Sequence, residues 1–224
     1  MTITSIDLGC IILEPVTVAT DLWVTVFCIY FFQKLKLPEK SEPILRFWRW
    51  FFFTFAISTF LGAVSHGLRF YMNDINFRTV RVVMNLFIIL SSYFLLRTTI
   101  ESAQRNNAAL FERLKNASML LTLSIALITI VNEDFRLIKI HAGIVVLAAL
   151  YGNYTAFKQE IKGSGKITFG LALSIFPILI HSIQFSISEF FNFNDISHSI
   201  ILISLYYIFM GVMENTRIKA LIQV

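Results

Sequence analysis

The chain carries four histidines, His66, His141, His181 and His198. Imidazole is the one side chain that both ligates transition metals well and exchanges protons near neutral pH. Two acids, Glu14 and Asp21, stand seven residues apart. On a helix of 3.6 residues per turn that spacing returns to one face, with Thr17 or Val18 between them. Ser65 directly precedes His66, and Asp195 stands three residues before His198. Three imidazoles with a fourth position open for water suit Zn2+, which lowers the pKa of that water towards neutrality. His66, His181 and His198 are the candidate ligands, with His141 as an alternate. Asp21 or Glu14 would be a fourth ligand, an orienter of a histidine or a proton carrier, and Ser65 completes the candidate catalytic set. No HxxxH or HExxH motif binds these residues into a local unit. Each also has a plainer reading: Glu14 as a helix cap, His66 and His198 as interface residues, His181 as a buried neutral hydrogen-bonding group.

The elements that must position these residues follow from composition. Of 224 residues, 56% are hydrophobic and only 15% charged, and the mean hydropathy is +0.71. Soluble domains carry about 25% charged residues, so a soluble enzyme, a disordered chain and a disulfide-rich secreted module are excluded. A helix needs about 20 apolar residues to cross the hydrocarbon layer. Seven segments qualify, at roughly 16–32, 48–70, 80–96, 114–131, 137–157, 167–187 and 197–213. Backbone polar groups in lipid must be paired within the segment, and alternating barrel strands are absent, so the spans are helices. The expected fold is all-α, one seven-transmembrane helix bundle over residues 1–224. Cys10 and Cys28 have no CxxC spacing, so neither a disulfide framework nor a zinc ribbon is indicated. The N-terminal stretch lacks the basic region of a removable signal peptide.

Charge gives the orientation. Of the 19 Lys and Arg, five (Arg69, Arg78, Arg81, Arg136 and Lys139) fall on the side of the N-terminus. The other 14 fall in the opposite loops and the C-terminal tail, Lys34, Lys36, Lys40, Arg105 and Lys162 among them. The positive-inside rule then places the N-terminus outside and the C-terminus in the cytoplasm. The net charge of +5 is thereby a topology signal, and a nucleic-acid partner is not expected. The sequons at Asn116 and Asn153 fall near the cytoplasmic side and are expected to stay unglycosylated. Lys162-Gly-Ser-Gly-Lys166 lacks the glycine and hydroxyl positions of a phosphate-binding loop and reads as a flexible turn.

Depth follows from orientation. All four histidines, with Glu14 and Asp21, fall in the outer half of the bundle. Asp21, inside the first span, needs a cation, a proton or a metal, and Arg81 on the third span is the expected ion-pair partner. Arg78, Arg81, Asn85 and Ser92 share a face of that span. Gly62, one turn before His66, allows close helix approach. Ser174, Pro177, His181, Gln184 and Ser188 are spaced by three or four along the sixth span, and Pro177 should kink it.

Seven spans, an outside N-terminus, Ser65-His66 late in the second span and histidines in the last spans resemble the superfamily of alkaline ceramidases and adiponectin and progestin receptors. The resemblance implies a seven-helix bundle with an intramembrane zinc site and hydrolysis of lipid amides. His66 maps onto the superfamily's second-span histidine. Ser65 is adjacent rather than one turn earlier, and the third-span Asp has no clear match, since Asn85 is neutral and Asp74 is in the loop. Leu202 stands where the last-span HxxxH needs its second histidine. Glu14-Pro15, Asp21 and Ser65-His66 are also similar to seven-span membrane proteins of unknown role. Retinal proteins are excluded, because 198–213 contains no Lys.

Two functions therefore stand side by side. One is a metal-dependent hydrolase of a lipid or amphiphile at the outer leaflet. The other is a non-enzymatic proton- or ion-coupled transporter or sensor, and a purely structural polar network is the plain alternative. Membrane lipids are the expected partners, and composition points to a bacterial inner membrane. Oligomeric state is not indicated.

Overall fold

The computed structural model describes residues 4–7, 11–35, 43–103, 108–132 and 135–222. Cys10, Lys36, Lys40 and Arg105, named above, lie outside the described residues. The helices are α1 (Pro15–Lys34), α2 (Pro43–Gly67), α3 (Asp74–Ala103), α4 (Ala108–Asn132), α5 (Phe135–Lys158), α6 (Ser164–Leu173), α7 (Ile175–Ile183) and α8 (Phe193–Ile222). With α6 and α7 taken as one broken span, seven helices are long and apolar enough to cross a membrane. The protein is an integral membrane protein with an all-α core.

Helix ends follow local chemistry. Pro15 and Pro43 open α1 and α2, where a missing N–H costs nothing. Asn73 caps α3, its side-chain oxygen accepting from the Asn76 N–H at 2.8 Å. At α8 the cap is reciprocal: Asn192 Oδ1 accepts from the Asn194 N–H, and Asp195 Oδ2 accepts from the Asn192 N–H at 2.7 Å. Pro177 cannot donate to the carbonyl one turn back, and the sixth span breaks at Ser174 as expected.

Several limits differ from the sequence reading: the second span ends at Gly67, the fourth and last helices run beyond their apolar stretches, and Ser164–Lys166, expected as a flexible turn, open α6. The third helix runs from 74 to 103 rather than 80 to 96, because capping at Asn73 and an Arg97–Glu101 pair one turn apart carry it beyond the apolar stretch. The sixth span ends at Ile183. Gln184 takes a left-handed conformation there, so Gln184 and Ser188 are off the helix. A short antiparallel hairpin, β1 (Ser5–Asp7) with β2 (Ile11–Leu13), precedes α1. It is tied down by the Ile11 N–H donating to the Tyr71 hydroxyl at 2.7 Å.

The helices form a closed ring in the order α1, α2, α3, α5, α6–α7, α8 and back to α1, with α4 packed outside on α3. Glycine makes one seam of this ring very close. A Cβ on Gly170 would lie 2.7 Å from the Ser204 carbonyl oxygen, and one on Gly211 would lie 2.5 Å from that of Gly163. The backbones of α6 and α8 therefore touch, and the Ser204 hydroxyl donates to the Gly170 carbonyl at 2.6 Å. At the end where α1 finishes, the ring is filled by aromatic rings. Phe31 stacks on Phe209 at 4.3 Å and meets Phe52 edge-on at 5.3 Å, all three buried. At the opposite end, where α1 begins, the ring is open.

Candidate functional site

The open end holds a cavity of about 510 Å³, within the size range of small-molecule sites, about 300–1,000 Å³. All the ring helices except α6 contribute to its wall. Its polar groups divide into two sides.

The first side lies on α1, α2 and α8 and is built from carboxylates against imidazoles. Glu14 Oε2 lies 2.8 Å from His66 Nδ1. Glu14 occupies the cap position of α1 but does not cap it. Its backbone is left-handed (φ 46°) and no side-chain cap bond forms, so the carboxylate is turned across to α2 instead. That conformation is costly for a residue with a Cβ. The His66 imidazole beside it holds the Glu14 carboxyl below its ordinary value of 4.5 against the opposing effect of burial.

One to two turns deeper, Asp21 Oδ1 lies 3.4 Å from His198 Nδ1. That nitrogen is also 3.2 Å from Thr20 Oγ1. The Thr20 hydroxyl already donates to the Thr17 carbonyl, so it is placed to accept from a His198 that carries its proton on Nδ1. Asp21 Oδ2 is buried with no hydrogen-bond partner among the described residues. Its neighbour is Gly62, whose missing side chain makes room for it. Asp195 is wholly buried and fully bonded, its Oδ1 accepting from Thr17 Oγ1 at 2.7 Å and its Oδ2 from the Asn192 N–H. Asp195 is thus the joint between α1 and α8 rather than a free acid.

The second side is cationic. Arg81 of α3 and Lys139 of α5 border the cavity, and Arg69 stands at its rim. Arg69 is paired with Asp74 at 2.8 Å. Arg81 lies 5.6 Å from the Phe77 ring, which Arg69 also covers at 4.1 Å, and Lys139 lies 5.8 Å from the Phe135 ring and within electrostatic reach of His181. Neither has a carboxylate partner among the described residues. The expected Arg81–Asp21 ion pair is therefore not formed. The reason is topological: α1 packs on α2 and α8, and α2 stands between α1 and α3.

Of the residues singled out from sequence, Glu14, Asp21, Ser65, His66, His181 and His198 border this one cavity. His181 sits between two rings, Phe193 at 4.8 Å and Phe135 at 5.8 Å. His141 is buried on another face of α5, its Nδ1 without a hydrogen-bond partner among the described residues. Asn85 is buried too and does not border the cavity.

The donors do not fit a three-ligand zinc centre in this arrangement. Among the described residues no three His, Cys, Asp or Glu side chains are gathered to hold a metal ion. His66 and His198 instead turn Nδ1 to carboxylates. Thr20 and Lys139 were not legible as site residues. Asn192-x-x-Asp195 could have been read as a capping box, which would have explained Asp195.

Residues 16–217 match a family described as "Family of unknown function (DUF6962)". The chain belongs to that family. The match runs from the start of the first span to beyond the end of the seventh, so it takes in the whole membrane bundle. No curated protein and no solved structure matches the chain.

Proposed function

We propose that this DUF6962 protein is a proton-responsive binding protein of the membrane, a sensor that takes an amphiphile into the open end of its bundle. The observation that carries this reading is the pairing of Glu14 with His66 and of Asp21 with His198 on one wall of a single cavity. Each pair can hold or release a proton when a ligand displaces its partner. The cavity is one-sided, because Phe31, Phe52 and Phe209 fill the ring beneath it. A one-sided pocket suits sensing better than conduction. By the distribution of basic residues the open end faces outward. The groups facing His66 are Glu14, Asp21, Asp195, His181 and His198, so its protonation reports on the whole wall.

The test is binding of a dansyl-labelled amphiphile with a neutral headgroup to purified protein in nanodiscs, from about pH 4 to 9, the range over which carboxylates and imidazoles titrate. Affinity is expected to change with pH, and the Glu14→Gln, His66→Gln double variant to flatten the profile. Absence of binding at every pH, or an unaltered profile in the double variant, sinks the reading.

A second reading is hydrolysis of the bound amphiphile, favoured by Ser65, His66 and Glu14 bordering the same cavity. Its metal-dependent form requires His66, His181 and His198 to converge. Elemental analysis of wild type against His181→Ala decides it: stoichiometric zinc that is lost with His181 supports this form, and zinc-free protein ends it.

A further inference from the structure

The geometry points to an anionic headgroup as the feature of the amphiphile that this protein recognises, held by Arg81 of α3 and Lys139 of α5. The inference rests on the binding reading above and adds the chemical class of the ligand. Three observations converge on it.

First, Arg81 and Lys139 border the cavity from neighbouring helices, and α3 packs closely on α5. Second, both lack a carboxylate partner among the described residues: Arg81 lies by the Phe77 ring, and Lys139 by the Phe135 ring and within electrostatic reach of His181, which cannot neutralise it. Cations within a membrane span are costly and normally pair or serve a ligand. The cavity's own acids are not available to them. Glu14 and Asp21 lie on the opposite wall against His66 and His198, and Asp195 is tied to Thr17 and Asn192. Third, the wall beneath the two cations is apolar, with Met84 and Ile88 of α3, Ile138 of α5 and Phe55 of α2. A head that accepts hydrogen bonds from a guanidinium and an ammonium, on a tail that fills an apolar slot, satisfies both parts.

Phosphate or carboxylate heads supply that chemistry. Arginine offers a planar fork and lysine a point charge, and both bind such groups in charge-assisted hydrogen bonds. The source is either an anionic membrane lipid or a separate anionic amphiphile, and the chemistry recognised is the same.

The experiment compares dodecyl phosphate, dodecyl maltoside and dodecyltrimethylammonium as competitors of the neutral dansyl probe on the full chain in phosphatidylcholine nanodiscs. Dodecyl phosphate is expected to compete at least about tenfold better than the other two, the difference that about one charge-assisted hydrogen bond makes. The Arg81→Gln, Lys139→Gln double variant is expected to lose that preference while still binding dodecyl maltoside, which shows that it is folded. Adding phosphatidylglycerol to the nanodiscs separates the sources. Weaker competition by dodecyl phosphate then assigns the site to an anionic lipid, and unchanged competition assigns it to a separate anionic amphiphile. Inorganic phosphate alone is expected to compete poorly, since it has no tail. Equal competition by all three heads, or a preference that survives in the double variant, overturns the anionic assignment and leaves the binding reading standing. No binding by any amphiphile overturns the binding reading itself.

Discussion

A Cβ on Gly62 would lie 2.8 Å from Asp21 Oδ2. The glycine on α2 is thus the reason that a carboxylate on α1 fits between the two helices. Real Cβ contacts are not so short, so Gly62→Ala must displace Asp21 or part the helices. A loss of about 1–3 kcal/mol is expected, typical of overpacking. In the Gly62→Ala, Asp21→Ala double variant the two costs should be less than additive, because the second change removes the clash made by the first. Denaturant unfolding of all three variants in micelles measures the coupling. Strict additivity would mean that the two residues do not share this space.

Thr17 and Asp195 join α1 to α8 through one buried hydrogen bond of 2.7 Å. Thr17→Val keeps the shape and removes the donor, leaving Asp195 Oδ1 unpaired in the interior. The expected cost is about 1–3 kcal/mol. Thr17→Ser restores the hydroxyl and should recover most of it. The same unfolding measurement reads both, and a Thr17→Val variant as stable as wild type would show that the bond contributes nothing.

The Glu14–His66 pair gives a pH dependence with a definite sign. The His66 imidazole paired with Glu14 holds its folded-state carboxyl below the ordinary value of 4.5. Such a group contributes stability that is fully present above the unfolded value and is lost as pH falls through the folded one. Wild type should therefore lose stability more steeply than Glu14→Gln as pH drops below about 4.5. Thermal unfolding across the acid range checks this. Parallel curves for the two proteins would show that Glu14 gains nothing from His66 on folding.

The spans were legible because lipid demands a simple pattern of apolar length, and the break near Pro177 because proline chemistry is local. The convergence of Glu14, Asp21, His66, His181 and His198 on one end of the bundle was legible as depth. What was not legible was which helix stands beside which. Depth alone made Arg81 a partner for Asp21, yet α2 lies between their helices and the carboxylate meets His198 instead. Lys139 was counted only as a topology signal, because nothing in its neighbours along the chain places it on the same cavity wall as Arg81. His141 shared the depth of the other histidines but sits on a different helix face. The left-handed turn at Glu14 had no sequence signature, since glutamate is not a residue that favours it.

The aromatic packing beneath the cavity makes the last prediction, which separates a sensor from a conductor. Phe31 and Phe209 stack face to face at 4.3 Å, and Phe52 closes against Phe31 edge-on. Below Asp21 the buried hydroxyls of Thr25 and Thr59 meet at 2.8 Å, and beneath them the three buried rings, which carry no titratable group, close the centre of the bundle with apolar surface. Proteoliposomes holding wild type and a pH-sensitive dye in the lumen should therefore show no proton entry beyond that of empty vesicles under an imposed gradient. Phe209→Ala should cost about 3–5 kcal/mol, as large-to-small changes in packed cores do. It should still leave the vesicles tight, because the void it opens is lined by apolar groups and such voids stay dry. Proton entry in wild type that disappears with Asp21→Asn would make the cavity the mouth of a conducting path and the sensing assignment wrong.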